Sequence, residues 1–168
     1  TVKNGFPACK FYDIDMLYPS DDDIEKYFIE NKTDVVGLSA VVSTSYMQVK
    51  RLAKIIKKVN KNTLIVCGGY LTASANTILH KTEIDACVVG DGEIAWVGIL
   101  KFMKQHLKAE KSKIDIDEFL KIRGIAVLDD SKNLKFSGYG QRLQSCDMTF
   151  PSFKYLKTGL QDNAEALQ

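Results

Sequence analysis

The chain has 168 residues, of which 45% are hydrophobic and 26% charged, a composition typical of one soluble globular domain with at most a small extension. Its 23 basic and 21 acidic residues leave a net charge of +2, too small to indicate a nucleic-acid or membrane partner. The four cysteines lie far apart in sequence, which argues against a zinc or iron–sulfur site of closely spaced cysteines. We recognise no signal peptide and no long apolar run, and therefore expect a cytoplasmic protein.

Strands and helices are predicted to alternate along the first two thirds of the chain. In order, we expect a strand at Cys9–Met16, a helix from Ser20 to about Asn31, a strand at Val35–Ser39, a helix at Tyr46–Asn60, a strand at Thr63–Cys67, a helix at Ser74–Lys81, a strand at Ala86–Val89 and a helix at Glu93–Leu107. Regular alternation of this kind favours right-handed βαβ units. The predicted fold class is α/β, a Rossmann-like or flavodoxin-like three-layer sandwich with a mainly parallel sheet.

The pattern changes after residue 107. A charged linker at Lys108–Lys113 is followed by a short helix at Asp117–Ile122. Gly124–Asp129 and Leu134–Ser137 flank a turn and predict a C-terminal β-hairpin extension. We therefore divide the chain into a Rossmann-like domain, residues 1–107, and a hairpin and linker region, residues 108–168.

Three of the predicted strands end in small or polar residues. In open α/β sheets, ligands bind outside the carboxyl ends of the strands, and glycine allows a ligand to approach the backbone closely. One shared ligand site is therefore expected, with a flavin phosphate, a nucleotide or a larger cofactor as its ligand. The candidate residues are Ser39, Ala40, Val41, Ser43, Thr44, Gly68, Gly69, Tyr70, Gly90, Asp91 and Gly92. We expect no metal ligand, because His80 and His106 are lone histidines on predicted helices away from these strand ends.

The spacing of two of these segments resembles a known signature. Ser39-Ala40-Val41 is separated from Gly68-Gly69 by the twenty-six residues from Val42 to Cys67. This is similar to the S-x-L…G-G half of the cobalamin-binding signature, with valine in place of the family's leucine. The segments 34–45, 67–76, 84–93, 124–138 and 150–156 resemble, in this order, the amino-terminal domain of cobalamin-dependent radical SAM enzymes and its connection to the radical domain.

The resemblance implies a cobalamin-binding module of a methyltransferase or of an anaerobic magnesium-protoporphyrin monomethyl ester cyclase type of enzyme. It also implies a slot for the nucleotide tail of cobalamin at Ser39, Ala40, Gly68 and Gly69, with the corrin ring above the strand ends. A 4Fe–4S cluster and S-adenosylmethionine would belong to a radical SAM domain in cis in the parent protein. That domain's three-cysteine motif is absent here, so we expect no catalytic residue in this chain.

In this family one further strand and helix would precede Thr1, and we expect the chain to begin near the end of that helix. The missing strand would lie between Cys9–Met16 and Val35–Ser39 and would leave unpaired backbone edges. We therefore expect a homodimer through the exposed sheet edge, an exchanged segment or a rearranged strand order.

The residues leave two other functions open. The first is a degenerate docking domain that has lost its cofactor, although the small residues at the slot count against it. The second is a flavodoxin-like or receiver-like domain. Tyr18-Pro19-Ser20-Asp21 does not resemble the flavodoxin phosphate loop, and we find no late lysine of the receiver type.

Overall fold

A computed structural model describes residues 9–108, 114–140 and 142, whose strands form a single five-stranded sheet. The helices are α1 (Ile14–Leu17), α2 (Asp21–Glu30), α3 (Ser45–Val59), a 3₁₀ helix (Tyr70–Ser74), α4 (Ala75–Lys81), α5 (Glu93–Lys108) and α6 (Ile116–Phe119). The strands are β1 (Val35–Ser39), β2 (Leu64–Gly68), β3 (Ala86–Val88), β4 (Ile125–Leu128) and β5 (Leu134–Phe136). Their order across the sheet is β1-β2-β3-β4-β5. The pairs β1–β2 and β2–β3 are parallel, and β3–β4 and β4–β5 are antiparallel.

Helices cover both faces of the sheet, because successive residues of its central strands point to opposite sides. In β2, Ile65 and Cys67 belong to a core with buried residues of α2, α3 and α4, whereas Leu64 and Val66 belong to a second core with α5 and α6. The predicted α/β class, with two helical layers around the sheet, is confirmed: β1, β2 and β3 are parallel, and both antiparallel pairs involve the predicted hairpin extension.

The sequence pattern predicted the start of α2 correctly. The Ser20 hydroxyl accepts a hydrogen bond from the Asp23 backbone N–H, and the Asp23 carboxylate accepts one from the Ser20 backbone N–H, which closes a capping box before α2. In α3 the apolar residues Val49, Leu52, Ala53 and Ile56 recur at helical spacing and are buried, while most of the lysines point to solvent.

The predicted strand at Cys9–Met16 is wrong. Ile14–Leu17 is a short helix, and the residues from Cys9 to Asp13 form no strand. Tyr12 packs against Tyr27 of α2, with their ring centroids 5.0 Å apart, and Ile14 packs against the first core. Tyr12 and Ile14 therefore pack against a helix and the core, an outcome that the alternating pattern alone does not distinguish from a strand.

The predicted hairpin is confirmed, and it extends the same sheet. Its turn is held by the Asp129 carboxylate, which accepts hydrogen bonds from the backbone N–H groups of Ser131 and Asn133. His80 of α4 lies 3.0 Å from the Lys132 carbonyl oxygen and so connects the first helical layer to this turn. The division of the chain at residue 107 stays a prediction.

The amino edge of the sheet is fixed by one half-buried carboxylate. Asp85 accepts a hydrogen bond of 2.7 Å from the Ile65 backbone N–H and forms an ion pair of 2.8 Å with Lys57. Burial raises the pKa of Asp85, although both contacts oppose this shift. Lys57 also donates to the Thr63 carbonyl at 2.8 Å, so α3 is tied to the starts of β2 and β3.

Cys67 and Cys87 are paired in register on β2 and β3, and both are fully buried. Burial raises the pKa of the Cys67 thiol to about 11 and also raises that of Cys87. Both thiols thus stay protonated at neutral pH and serve as small apolar side chains. Over the described ranges, no helix combines the length and the apolar character that crossing a membrane requires.

Candidate ligand site at the carboxyl edge of the sheet

The predicted site residues lie together at one edge of the sheet. Because β1, β2 and β3 are parallel, the loops that follow them meet at their shared carboxyl edge, which we call the rim. Ser39, the last residue of β1, is opposite Gly68, the last residue of β2. Every predicted residue is in one of the three rim loops or at the strand end before it.

The backbone conformation at position 69 and the closeness of Ala40 require glycine there. Its φ of 92° and ψ of −179° lie in a region that is essentially restricted to glycine. A Cβ atom at this position would lie 2.4 Å from the Ala40 carbonyl oxygen. Ala40 is fully buried, its N–H donates to the Gly68 carbonyl at 2.8 Å, and its carbonyl accepts from the Leu71 N–H at 3.1 Å. Ala40 and Gly69 therefore lock the first two rim loops together.

Gly68 has the opposite environment. A Cβ atom added there would meet no heavy atom within 4 Å, so open space lies beside the backbone at the end of β2. Ser39 is exposed next to it, and its hydroxyl makes no hydrogen bond to another residue in the described part of the chain. This position thus combines room for a ligand with a free hydrogen-bonding group.

Thr72 is a site residue that the sequence did not identify. Its side chain is buried, and its hydroxyl lies 2.7 Å from the Gly69 carbonyl oxygen and 2.8 Å from the Val88 carbonyl oxygen. A hydroxyl has one proton to donate, so the two carbonyls share it. Thr72 connects the loop after β2 to the end of β3, and a threonine in a short helical pattern gives no sequence signal for this role.

The third rim loop joins β3 to α5. The Gly92 carbonyl accepts the Trp96 N–H at 2.8 Å and starts the helix, and the Trp96 ring packs 2.9 Å from the position of a Cβ atom at Gly37. Asp91 lies 3.5 Å from Arg142, with both side chains largely exposed. Asp91 thus contacts the segment after the hairpin, whereas Trp96 packs against β1.

Several large apolar side chains in the rim loops, or in the helices next to them, are exposed. Tyr70 is 84% exposed, Met47 67% and Val41 57%, and Val42 and Ile94 are also about half exposed. Exposed apolar side chains at one edge of a domain are the kind of surface that a ligand or partner covers. The described residues contain no cluster of histidine, cysteine and carboxylate side chains that could hold a metal ion. The arrangement can therefore bind a large, mostly apolar ligand, with few polar contacts to orient it.

Comparisons with known proteins agree with this geometry. A family model described as "B12 binding domain" matches residues 3–100, which is more than half of the chain. A search of curated proteins gives no match.

Two solved structures have a similar fold, and both are of TsrM, a radical S-adenosylmethionine methyltransferase from Kitasatospora setae. One has tryptophan substrate and the SAM analogue aza-SAM bound and is 14% identical; the other has cobalamin and a [4Fe-4S] cluster bound and is 13% identical. Each comparison has a TM-score of 0.60 and covers 73% of this chain but 23% of the TsrM chain. Identity at this level shows the fold alone.

Proposed function

Because this chain belongs to the B12 binding domain family, we propose that it is the cobalamin-binding module of a larger radical SAM enzyme. The observation that carries the proposal is the open space beside Gly68, next to the exposed hydroxyl of Ser39. A cofactor with a narrow tail and a broad ring needs both a slot at a strand end and an apolar platform around it. The open space beside Gly68 supports the first requirement, and the exposed apolar side chains of the rim support the second.

The residues of the rim have distinct proposed roles. Ser39 and Gly68 line the entrance for the nucleotide tail, while Ala40 and Gly69 hold the backbone that forms it. The ring would rest on residues of the three loops, namely Val41, Ser43, Thr44, Tyr70, Gly90, Asp91 and Gly92. When bound, cobalamin supplies a cobalt centre that can carry a methyl group, whereas this chain's residues bind the cofactor, orient it and limit its contact with water.

The parent enzyme is a further part of the proposal. The chain spans less than a quarter of the TsrM chain, so the 4Fe–4S cluster, S-adenosylmethionine and catalysis are assigned to a domain in cis outside these residues. The sequence implies two parent types, a methyltransferase and an anaerobic magnesium-protoporphyrin monomethyl ester cyclase, and both stay part of the proposal. No catalytic residue is proposed within this chain.

The other functions receive less support. In a degenerate docking domain, side chains of the protein would be expected to fill the space beside Gly68, and that space is open. A flavodoxin-like or receiver-like function is disfavoured by the family match over residues 3–100.

We expect the purified chain to bind hydroxocobalamin with a shifted visible spectrum. Ser39→Ala removes the hydroxyl at the slot, so its affinity should fall about fivefold, which corresponds to one hydrogen bond worth about 1 kcal/mol. The measurement is a titration followed by absorbance. Ser131→Ala, an exposed serine in the hairpin turn at the opposite edge, is the matched control and should bind like the unmutated chain. Absence of any binding by the unmutated chain would reject the proposed function.

The proposal of a homodimer is based on the outer edge of β1. Among the described residues, β1 pairs only with β2, and it contains no charged residue or proline that would protect its outer edge. A second copy of the chain is the proposed partner, paired strand to strand. Sedimentation velocity should therefore show a concentration-dependent dimer, and a monomer at every accessible concentration would contradict it.

A further inference from the structure

We propose that Tyr139, on the segment after β5, forms an additional wall of the ligand site and contacts the bound cofactor with its ring. This inference rests on the proposed cobalamin binding. Neither the sequence patterns nor the three rim loops include this residue. A Cβ atom at Gly90, in the third rim loop, would lie 3.8 Å from the Tyr139 Cδ1 atom. The ring is therefore next to a predicted site residue.

The segment that bears Tyr139 is held on one side by the start of β4. The Ser137 N–H donates to the Ile125 carbonyl at 2.9 Å, and the Gly124 N–H donates to the Gly138 carbonyl at 2.7 Å. The Gly124 carbonyl in turn accepts the Val89 N–H at 2.8 Å. This series of backbone hydrogen bonds fixes the position just before Tyr139 relative to the end of β3.

The direction of the chain at this point is also fixed. Gly138 has a φ of 78°, and a Cβ atom there would lie 2.6 Å from the Arg123 Nη2 atom, so the turn suits glycine. Three residues after Tyr139, Arg142 pairs with Asp91 of the third rim loop at 3.5 Å. Tyr139 thus lies between two contacts that hold the segment against the rim.

The ring itself is left open to a ligand. It makes an edge-to-face contact with Phe136, with centroids 5.2 Å apart and an interplanar angle of 80°, yet 71% of the residue is exposed. An exposed aromatic ring on an ordered backbone gives a large contact area with little loss of side-chain entropy on binding. Its position beside Gly90 adds an exposed aromatic ring to the third rim loop.

The test combines substitution with chemical protection. Tyr139→Ala should weaken the binding of hydroxocobalamin about fivefold, and Tyr139→Phe should bind like the unmutated chain because the ring is kept. Ile29→Ala removes an exposed apolar side chain near the amino edge of the sheet and is the matched control. Because the Tyr139 ring is largely exposed, the midpoint of thermal unfolding without cofactor should be nearly the same in all four proteins.

A second measurement needs no variant. Tetranitromethane nitrates accessible tyrosines, and peptide mapping should show that hydroxocobalamin protects Tyr139, whereas Tyr12, which packs against α2, keeps its rate. If the chain binds hydroxocobalamin but Tyr139 is nitrated at an unchanged rate and Tyr139→Ala retains full affinity, the inference is overturned and the proposed function stands. If the unmutated chain does not bind, both are overturned.

Discussion

Substitution of Gly69 by alanine is expected to lower the free energy of unfolding by about 3 kcal/mol or more. The new Cβ atom would lie 2.4 Å from the Ala40 carbonyl oxygen, which is backbone and cannot turn away as a flexible side chain could. The residue would also have to keep a φ of 92° and a ψ of −179°, where alanine is strained. Urea unfolding followed by circular dichroism measures the loss.

The neighbouring glycine provides the matched control. Gly68→Ala places its methyl group in open space, because no heavy atom lies within 4 Å of the added Cβ position. Its free energy of unfolding should therefore stay within about 1 kcal/mol of the unmutated value, since alanine also restricts the unfolded chain. Equal losses for the two variants would show that the contact with Ala40 does not determine the requirement for glycine.

Replacement of Gly68 by leucine is expected to abolish cofactor binding while the fold is retained. The side chain would extend into the space beside the end of β2 that we assign to the nucleotide tail. We expect the affinity for hydroxocobalamin to fall at least about a hundredfold, because a ligand cannot enter a filled slot without displacing protein atoms. Absorbance titration measures the affinity, and urea unfolding reports whether the fold is kept.

Two variants make this result specific. Gly68→Ala should show a smaller loss of affinity than Gly68→Leu, because its single methyl group fills less of the slot. Ser131→Leu introduces the same side chain in the hairpin turn at the opposite edge and should leave binding unchanged. If Gly68→Leu binds hydroxocobalamin as tightly as the unmutated chain, the tail does not enter beside β2 and the assignment of the slot is incorrect.

The sequence predicted the elements whose patterns are local. The apolar stripe of α3 and the buried run of β2 are set by period and burial, and both agree with the structure. The prediction of a strand at Cys9–Met16 was wrong because alternating aromatic residues also occur in segments that pack on a helix, as Tyr12 does on Tyr27. Whether such a segment pairs with a strand or packs on a helix depends on which element lies beside it, and the local sequence pattern does not contain that information.

In the candidate site, too, the sequence predicted local features but not those that depend on distant contacts. The pair Gly68-Gly69 marks a strand end in sequence, but two adjacent glycines cannot be told apart until the position of Ala40 is known. Thr72 and Tyr139 were missed because their roles come from contacts with Val88 and Gly90, which are distant from them along the chain. The assignment of the ligand-contacting residues stays a prediction until binding is measured.

The hydrogen bonds between the rim loops have a consequence for how a ligand is received. The Ala40 carbonyl holds Leu71, and the Thr72 hydroxyl joins Gly69 to Val88, so these loops are already ordered by contacts within the protein. The conformational entropy of arranging this receptor is therefore lost when the polypeptide folds and is not lost again during association. A preorganised rim of this kind favours lock-and-key recognition, in which affinity is governed mainly by the fit of the incoming molecule.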